Sequence, residues 1–135
     1  MEIMETMVNR SNDIELESTS LSKLLEERLS VPEYQRSYVW DEVDIDKLFK
    51  QFEIYHQNIV QEKPAFYLGS IVLHEDEYKN LNIIDGQQRI TTLAIINHIK
   101  GNSRTQIRYD NLISVRNIKK NYNYILQKYS KEDRN

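Results

Sequence analysis

The sequence predicts a domain of the α/β (α+β) class, in which helices stand on both sides of a β-hairpin. Two buried-type strands, "AFYLGSIVL" and "NIID", follow one another closely, and stretches with helical spacing of apolar residues stand on both sides of them. The 135 residues are enough for one domain with an apolar core. We expect three parts: a loose lead-in over residues 1–17, the main α/β domain over 18–101, and a linker with an amphipathic helix over 102–135.

The first elements are a short helix and an extended segment. "STSLSKLLEERLS" predicts a helix that a serine or threonine at 18–20 caps and whose leucines share one side. In "VPEYQRSYVW", Pro32 opposes a helix, and the tyrosine, valine and tryptophan content favours extended chain.

Three further helices and a hairpin follow. "DEVDIDKLFKQFEIYHQNIV" predicts an amphipathic helix with acids at its positive end. The strands over 66–73 and 82–85 are spaced as a hairpin, and the next helix, up to Lys100 and closed by Gly101, is apolar nearly all round, which indicates burial. The last helix has an apolar stripe at Val115, Ile118, Tyr122, Ile125, Leu126 and Tyr129.

Composition excludes several classes of function. The chain has no cysteine, which excludes disulfides, thiolate catalysis and cysteine-ligated zinc. Its net charge of −3 means that any nucleic-acid contact needs a local basic patch. No apolar run approaches the ~20 residues of a membrane helix, and the N-terminal residues do not resemble a signal peptide. We expect a cytoplasmic protein without a membrane partner. Its three separate histidines do not predict a metal site, whereas a site built on oxygen ligands stays open.

The polar run "DGQQR" at the start of the buried helix is the strongest candidate site. A helix that begins where a strand ends presents free N–H groups and a partial positive charge, which attract anions. Gly86 would let the backbone approach a phosphate, and Arg89 in the first turn could clamp phosphate oxygens in a bidentate way.

The neighbouring polar residues extend this phosphate cradle. Gln87 and Gln88 offer amide groups, Thr91 and Thr92 offer hydroxyls below them, and Asp85 could hold a divalent metal, orient a water or cap the helix. A purely structural interpretation stays open, in which the aspartate caps the helix, the glycine makes the turn and the arginine pairs with an acid. The pattern is not a Walker A loop, because the lysine and the glycine spacing are missing.

A second polar cluster lies upstream in "YQRSYVW". Gln35 and Arg36 could form a second limb of the same pocket, although in a strand they would face opposite ways. A guanidinium buried beside apolar chain needs an anion, so one shared pocket would satisfy both Arg36 and Arg89. For Tyr38 and Trp40 we favour a place in the core.

These stretches, in this order, resemble the N-terminal domain of GmrSD-type modification-dependent restriction enzymes. The resemblance covers roughly residues 21–99 and lies in "VPEYQRSYVW", "FYLGSIVL" and "IIDGQQRITTL". It implies an α/β fold similar to the ParB and sulfiredoxin nucleotide-binding domains, with helices packed on a small mixed β-sheet and the last helix beginning a longer helical region. It also implies a domain that binds, and hydrolyses, an NTP (GTP, UTP or ATP, with Mg²⁺) in phage defence, coupled to the cutting of modified DNA.

Carried over residue by residue, the resemblance gives two motifs. The nucleotide motif comprises Asp85, Gly86, Gln87, Gln88 and Arg89, with Thr91 and Thr92 just after it, and the upstream motif comprises Gln35 and Arg36. Asp85, Gln88 and Arg89 are the catalytic candidates. Whether hydrolysis survives in a chain of this length stays open.

The chain departs from the family in having no cluster of the HNH nuclease type, so we expect no DNA cleavage by it alone and a nuclease domain or subunit elsewhere. A competing hypothesis is a non-catalytic module that senses DNA or docks a partner. It draws on basic residues of the last third, which are equally compatible with a solvated helix face: Arg104, Arg108, Arg116, Lys119 and Lys120.

Overall fold

Six strands form one mixed sheet in the computed structural model, which describes residues 2–10, 13–32, 35–57, 66–101, 107–109 and 111–133. Their order across the sheet is β2-β1-β4-β5-β3-β6. The pairs β1–β2 and β4–β5 are antiparallel, whereas β1–β4, β3–β5 and β3–β6 are parallel. The strands are β1 (Glu2–Arg10), β2 (Asp13–Ser20), β3 (Leu29–Ser30), β4 (Phe66–Glu75), β5 (Leu81–Asp85) and β6 (Ile107–Arg108).

Four helices accompany the sheet in the described ranges: α1 (Leu21–Leu25), α2 (Glu42–Gln57), α3 (Gln87–Ile99) and α4 (Leu112–Asp133). The predicted α+β class with a mixed sheet is confirmed, and so are these helices. Ser20 caps α1 by accepting from the Lys23 N–H, as serine does at this position. No helix of the described ranges is both long and apolar enough to cross a membrane.

The core lies on one face of the sheet. Met4 and Val8 of β1 and Ile71 and Leu73 of β4 are buried there, while residues between them, such as Met7, are exposed on the other face. This alternation is typical of a sheet with one solvated face. Helix α3 lies in the middle of the core and is buried over nearly its whole circumference, as predicted: Gln87, Gln88 and residues 90–96.

The expectation of a loose lead-in over residues 1–17 is wrong. β1 lies between β2 and β4 in the sheet, and Met4, Thr6 and Val8 are buried. Polar Thr6 interrupts the apolar alternation of β1, and β2 is an edge strand whose residues 13–18 are all exposed. β1 therefore lacks a clean apolar alternation, and in β2 Ile14 and Leu16 alternate with acidic residues, but both side chains are exposed.

The predicted apolar stripe of α4 is partly wrong. Val115 and Leu126 are 47% and 37% exposed. Ile125 is buried as expected, but the other fully buried side chains of α4 in the described part are the polar Ser114 and Asn121. Helix α4 packs against α3, and Ile125 belongs to the same core, so the helix is continuous with the domain.

Residues 35–41, which precede α2, form no helix and pair with no described strand. Gln35 lies at a bend, where its N–H donates to the Pro32 carbonyl at 3.0 Å. The expectation that Gln35 and Arg36 face opposite sides of a strand is therefore wrong, because no strand forms there. Tyr34, which directly precedes the upstream motif, lies outside the described residues.

Candidate functional site

The turn from β5 to α3 is built on Gly86. This residue has φ of +92°, and a Cβ added to it would lie 2.8 Å from the Ser70 carbonyl oxygen of β4. A side chain is thus excluded both by the backbone conformation and by the close packing of the turn on β4. The sequence attributed this glycine to the approach of a ligand, whereas the structure supplies a reason within the chain itself.

The N-terminus of α3 lacks a side-chain cap. Gly86 is the N-cap residue and contributes no side-chain hydrogen bond, and Asp85 Oδ1 accepts from the Gly86 N–H at 3.0 Å. The first N–H groups of a helix have no partner within the helix, and the macrodipole makes this end partially positive. The turn therefore presents donors and positive potential beside the exposed Asp85 carboxylate.

A pocket of about 220 Å³ opens at this turn, and both predicted motifs contribute to it. Its side chains include two arginines and one carboxylate, which gives the lining a net charge of +1. In the described part of the chain neither Arg36 nor Arg89 forms an ion pair. The lining residues are Gln35, Arg36, Trp40, Ile84, Asp85, Gly86, Gln87, Gln88 and Arg89.

The two arginines differ in their surroundings. Arg36 is exposed, so the prediction of a buried guanidinium that requires a partner is wrong for this residue. Arg89 is half-buried and lies across Gly69 of β4, where an added Cβ would come within 3.2 Å of Arg89 Cδ. Arg89 Nη1 donates to Gln51 Oε1 of α2 at 3.4 Å. These two contacts hold the Arg89 side chain between β4 and α2 at the edge of the pocket.

Gly69 and Gln51 were not identified from the sequence. A glycine inside a strand signals a bulge or a close approach of another group. Gly69 fulfils both conditions, because the β1–β4 register shifts next to it. No comparable signal marks Gln51, which is one polar residue on an exposed helix face.

Gln87 joins the turn to the upstream motif. Its Nε2 donates to the Arg36 carbonyl oxygen at 2.6 Å, which fixes the orientation of the amide. Its Oε1 is buried and has no hydrogen-bond partner among the described residues. A buried acceptor without a partner costs about 1–3 kcal/mol. A ligand that donates a hydrogen bond to this atom would remove that cost.

Gln88 binds the backbone of residues 37–40, the segment that precedes α2. Its Oε1 accepts from the N–H groups of Val39 and Trp40, at 2.8 and 3.2 Å, and its Nε2 donates to the Ser37 carbonyl at 3.0 Å. These three bonds take the place of strand pairing for the segment. The geometry therefore gives Gln88 a framework role, and its predicted part in catalysis stays a prediction.

Thr91 and Thr92 do not line the pocket. Thr91 Oγ1 lies 2.9 Å from the Tyr109 hydroxyl, and Thr92 Oγ1 lies 2.7 Å from the Tyr38 hydroxyl. Burial raises the pKa of Tyr38, and it raises the pKa of Tyr109 to about 12. Tyr38 is fully buried and therefore a core residue, whereas Trp40 is half-buried and reaches the pocket.

Metal ligation has little support in the site itself. Among the described lining residues, Asp85 is the one that carries a carboxylate. In the described ranges no group of three or more histidine, cysteine, aspartate or glutamate residues comes close enough to hold an ion. Any Mg²⁺ at this site would need further oxygen ligands from a bound molecule.

Comparison with known proteins gives a family match. Residues 20–135 match the family model described as "GmrSD restriction endonuclease, N-terminal domain". The chain is also 33% identical over 89 residues to the uncharacterized protein MJ0686 of Methanocaldococcus jannaschii, in an alignment that covers 54% of this chain and 15% of that protein. No solved structure matches, so the similarity to ParB and sulfiredoxin domains stays a prediction.

The family model covers the upstream motif, the β4–β5 hairpin, the β5–α3 turn and helices α1 to α4. The two motifs that line the pocket are those on which the resemblance was recognised. The chain belongs to the family of GmrSD restriction endonuclease N-terminal domains.

Proposed function

We propose that the pocket binds the phosphate groups of a nucleoside triphosphate. The observation that carries the proposal is the meeting of two arginines without ion-pair partners in the described part, Arg36 and Arg89, with an uncapped helix N-terminus. Guanidinium groups and helix N-termini are the two kinds of donor that proteins use most readily for phosphate. Their convergence on one small pocket favours a phosphate ligand over a neutral one.

The size of the pocket limits which part of the ligand it holds. Pockets for drug-sized ligands usually measure about 300–1,000 Å³, whereas this one measures about 220 Å³. It therefore suits the phosphate chain rather than the whole nucleotide. Since phosphates are common to GTP, UTP and ATP, the lining described here would not distinguish among these nucleotides.

The hydrolytic part of the proposal centres on Asp85. Its carboxylate is exposed at the edge of the pocket and already accepts from the Gly86 N–H. In that position it could orient a water toward the terminal phosphate or share a Mg²⁺ ion with phosphate oxygens. The ion would neutralise phosphate charge when bound, and Arg89 would stabilise the charge that develops during transfer.

Family membership supports a role in a restriction system. Within such a system, nucleotide binding by this domain would serve the recognition or cutting of DNA by a nuclease part in another domain or subunit. The matched stretch spans only 15% of the archaeal relative, so DNA and a nuclease are proposed partners.

The experiment is a titration with a labelled nucleotide, comparing the wild type with Arg89→Ala. Loss of one charge-assisted bidentate contact should cost about 1.5–3 kcal/mol, which is a weakening of roughly 10- to 150-fold. Arg116→Ala is the matched control, because this exposed arginine of α4 does not line the pocket. A folded Arg89→Ala protein that binds as tightly as wild type would refute the proposal.

A second candidate function is contact with DNA through α4. Arg116, Lys119 and Lys120 are exposed and share a helix face. If this face binds phosphates, reversing its charge should reduce the salt dependence of DNA binding by close to one unit of slope for each contact. An unchanged slope would assign these residues to an ordinary solvated surface.

A further inference from the structure

Helix α4 carries a line of polar side chains into the interior of the domain. Ser114, Asn117 and Asn121 recur at helical spacing; Ser114 and Asn121 are fully buried and Asn117 is half-buried. Burying such groups is unfavourable unless they form hydrogen bonds. We call these three residues the polar ridge of α4.

The polar ridge binds one short segment of backbone. The Tyr38 N–H donates to Ser114 Oγ, and Asn117 Nδ2 donates to the Tyr38 carbonyl, both at 2.8 Å. Asn121 Nδ2 donates to the Trp40 carbonyl at 2.8 Å. All three bonds join residues more than 70 positions apart in the chain.

A buried chain of hydrogen bonds continues from the polar ridge to α3. Thr92 Oγ1 donates to the Gln88 carbonyl, so the Tyr38 hydroxyl must donate its own hydrogen to Thr92. Asn121 Nδ2 in turn donates to the Tyr38 hydroxyl at 2.9 Å. Helix α3, which begins at the pocket, and helix α4 are thereby connected through Tyr38.

The segment held in this way forms a wall of the pocket. Arg36 and Trp40, at its two ends, both line the pocket. The backbone of residues 37–40 is hydrogen-bonded by Gln88 on one side and by the polar ridge on the other. Helix α4 itself contributes no residue to the pocket lining. Among the described residues it can therefore affect a ligand there only indirectly, through this wall or through α3, against which it also packs.

We propose that the polar ridge of α4 positions the Arg36–Trp40 wall for ligand binding, so that occupancy of the pocket and the placement of α4 are coupled. The proposal rests on the proposed nucleotide binding. Coupling of this kind is reciprocal: nucleotide would stabilise the seating of α4, and whatever displaces α4 would weaken nucleotide binding to the same extent. Ser114, Asn117 and Asn121 are thus positioning residues rather than ligand contacts.

Trp40 provides a direct readout, because it is the one tryptophan of the chain and stands in the wall. The test compares Asn117→Ala with Asn123→Ala, the same change at an exposed position of the same helix. Trp40 emission and its quenching by iodide are measured without nucleotide, and affinity for a labelled NTP is measured with it. We expect Asn117→Ala to shift the emission and weaken binding about 3- to 10-fold, and Asn123→Ala to do neither.

Several outcomes would overturn the proposal. A folded Asn117→Ala protein with wild-type emission and wild-type affinity would do so, as would equal effects of the two variants. If Asn117→Ala does not fold, Ser114→Ala replaces it under the same criteria. If the wild type binds no nucleotide, the proposed function and the coupling both fail, while the ligand-free Trp40 measurements still decide whether the polar ridge positions the wall.

Discussion

Replacing Gly86 with alanine should destabilise the domain by more than a positive φ alone explains. The alanine would adopt φ near +92° and place its Cβ 2.8 Å from the Ser70 carbonyl oxygen. The left-handed conformation costs about 1–2 kcal/mol for a residue with a side chain. Crowding against a fixed backbone atom adds about 1–3 kcal/mol. The free energy of unfolding should therefore fall by about 2–5 kcal/mol.

Gly101 supplies the matched control. It has φ of +102°, but nothing lies within 4 Å of a Cβ added there, so Gly101→Ala should incur only the conformational cost. Urea unfolding followed by far-UV circular dichroism gives both free energies. The difference between the variants should be about 1–3 kcal/mol, with a gap in Tm of roughly 4 °C per kcal/mol for a domain of this size. Equal losses at the two positions would refute the packing argument for the β5–α3 turn.

Three other perturbations have definite expectations. Gln88→Ala leaves three backbone groups without partners and should lower the free energy of unfolding by about 2–4 kcal/mol in urea titrations; no loss would deny its framework role. Gly69→Ala should displace Arg89 and weaken nucleotide binding as well as stability; a loss of stability alone would mean that Arg89 accommodates the methyl group. Burial raises the pKa of Tyr109 from 10.0 to about 12, so the folded state disfavours the tyrosine anion. The free energy of unfolding should therefore be constant below pH 10 and fall as the pH rises from about 10 to about 12. Unfolding measured at about pH 9 and about pH 11.5 should show a smaller fall in Tyr109→Phe.

Elements whose pattern is local could be predicted from the sequence. The amphipathic spacing of α2, the buried character of α3 and the β4–β5 hairpin all depend on residues close to one another in the chain, and all three are confirmed. Both motifs were named from the sequence as limbs of one pocket, and Arg36 and Arg89 do line one pocket, while their binding of phosphate stays a prediction.

The elements that were missed depend on distant partners. β1 is fixed by parallel pairing with β4, some sixty residues further along the chain, and no local pattern indicates such pairing. The polar ridge of α4 was not identified from the sequence, because Ser114 and Asn121 are buried only where they meet the backbone of the Tyr38 segment. Gln51 was missed for the same reason, since its contact with Arg89 forms only in the folded domain.

The most direct test of the account is a double-mutant cycle at Arg36 and Arg89, with NTP affinity measured calorimetrically for the wild type, both alanine variants and the double variant. If the two motifs form one phosphate pocket, each single change weakens binding, the half-buried Arg89 more than the exposed Arg36. The two losses should then be non-additive by at least about 0.5 kcal/mol. Strictly additive losses, or wild-type affinity in folded Arg89→Ala, would contradict the claim that one pocket binds phosphate through both arginines.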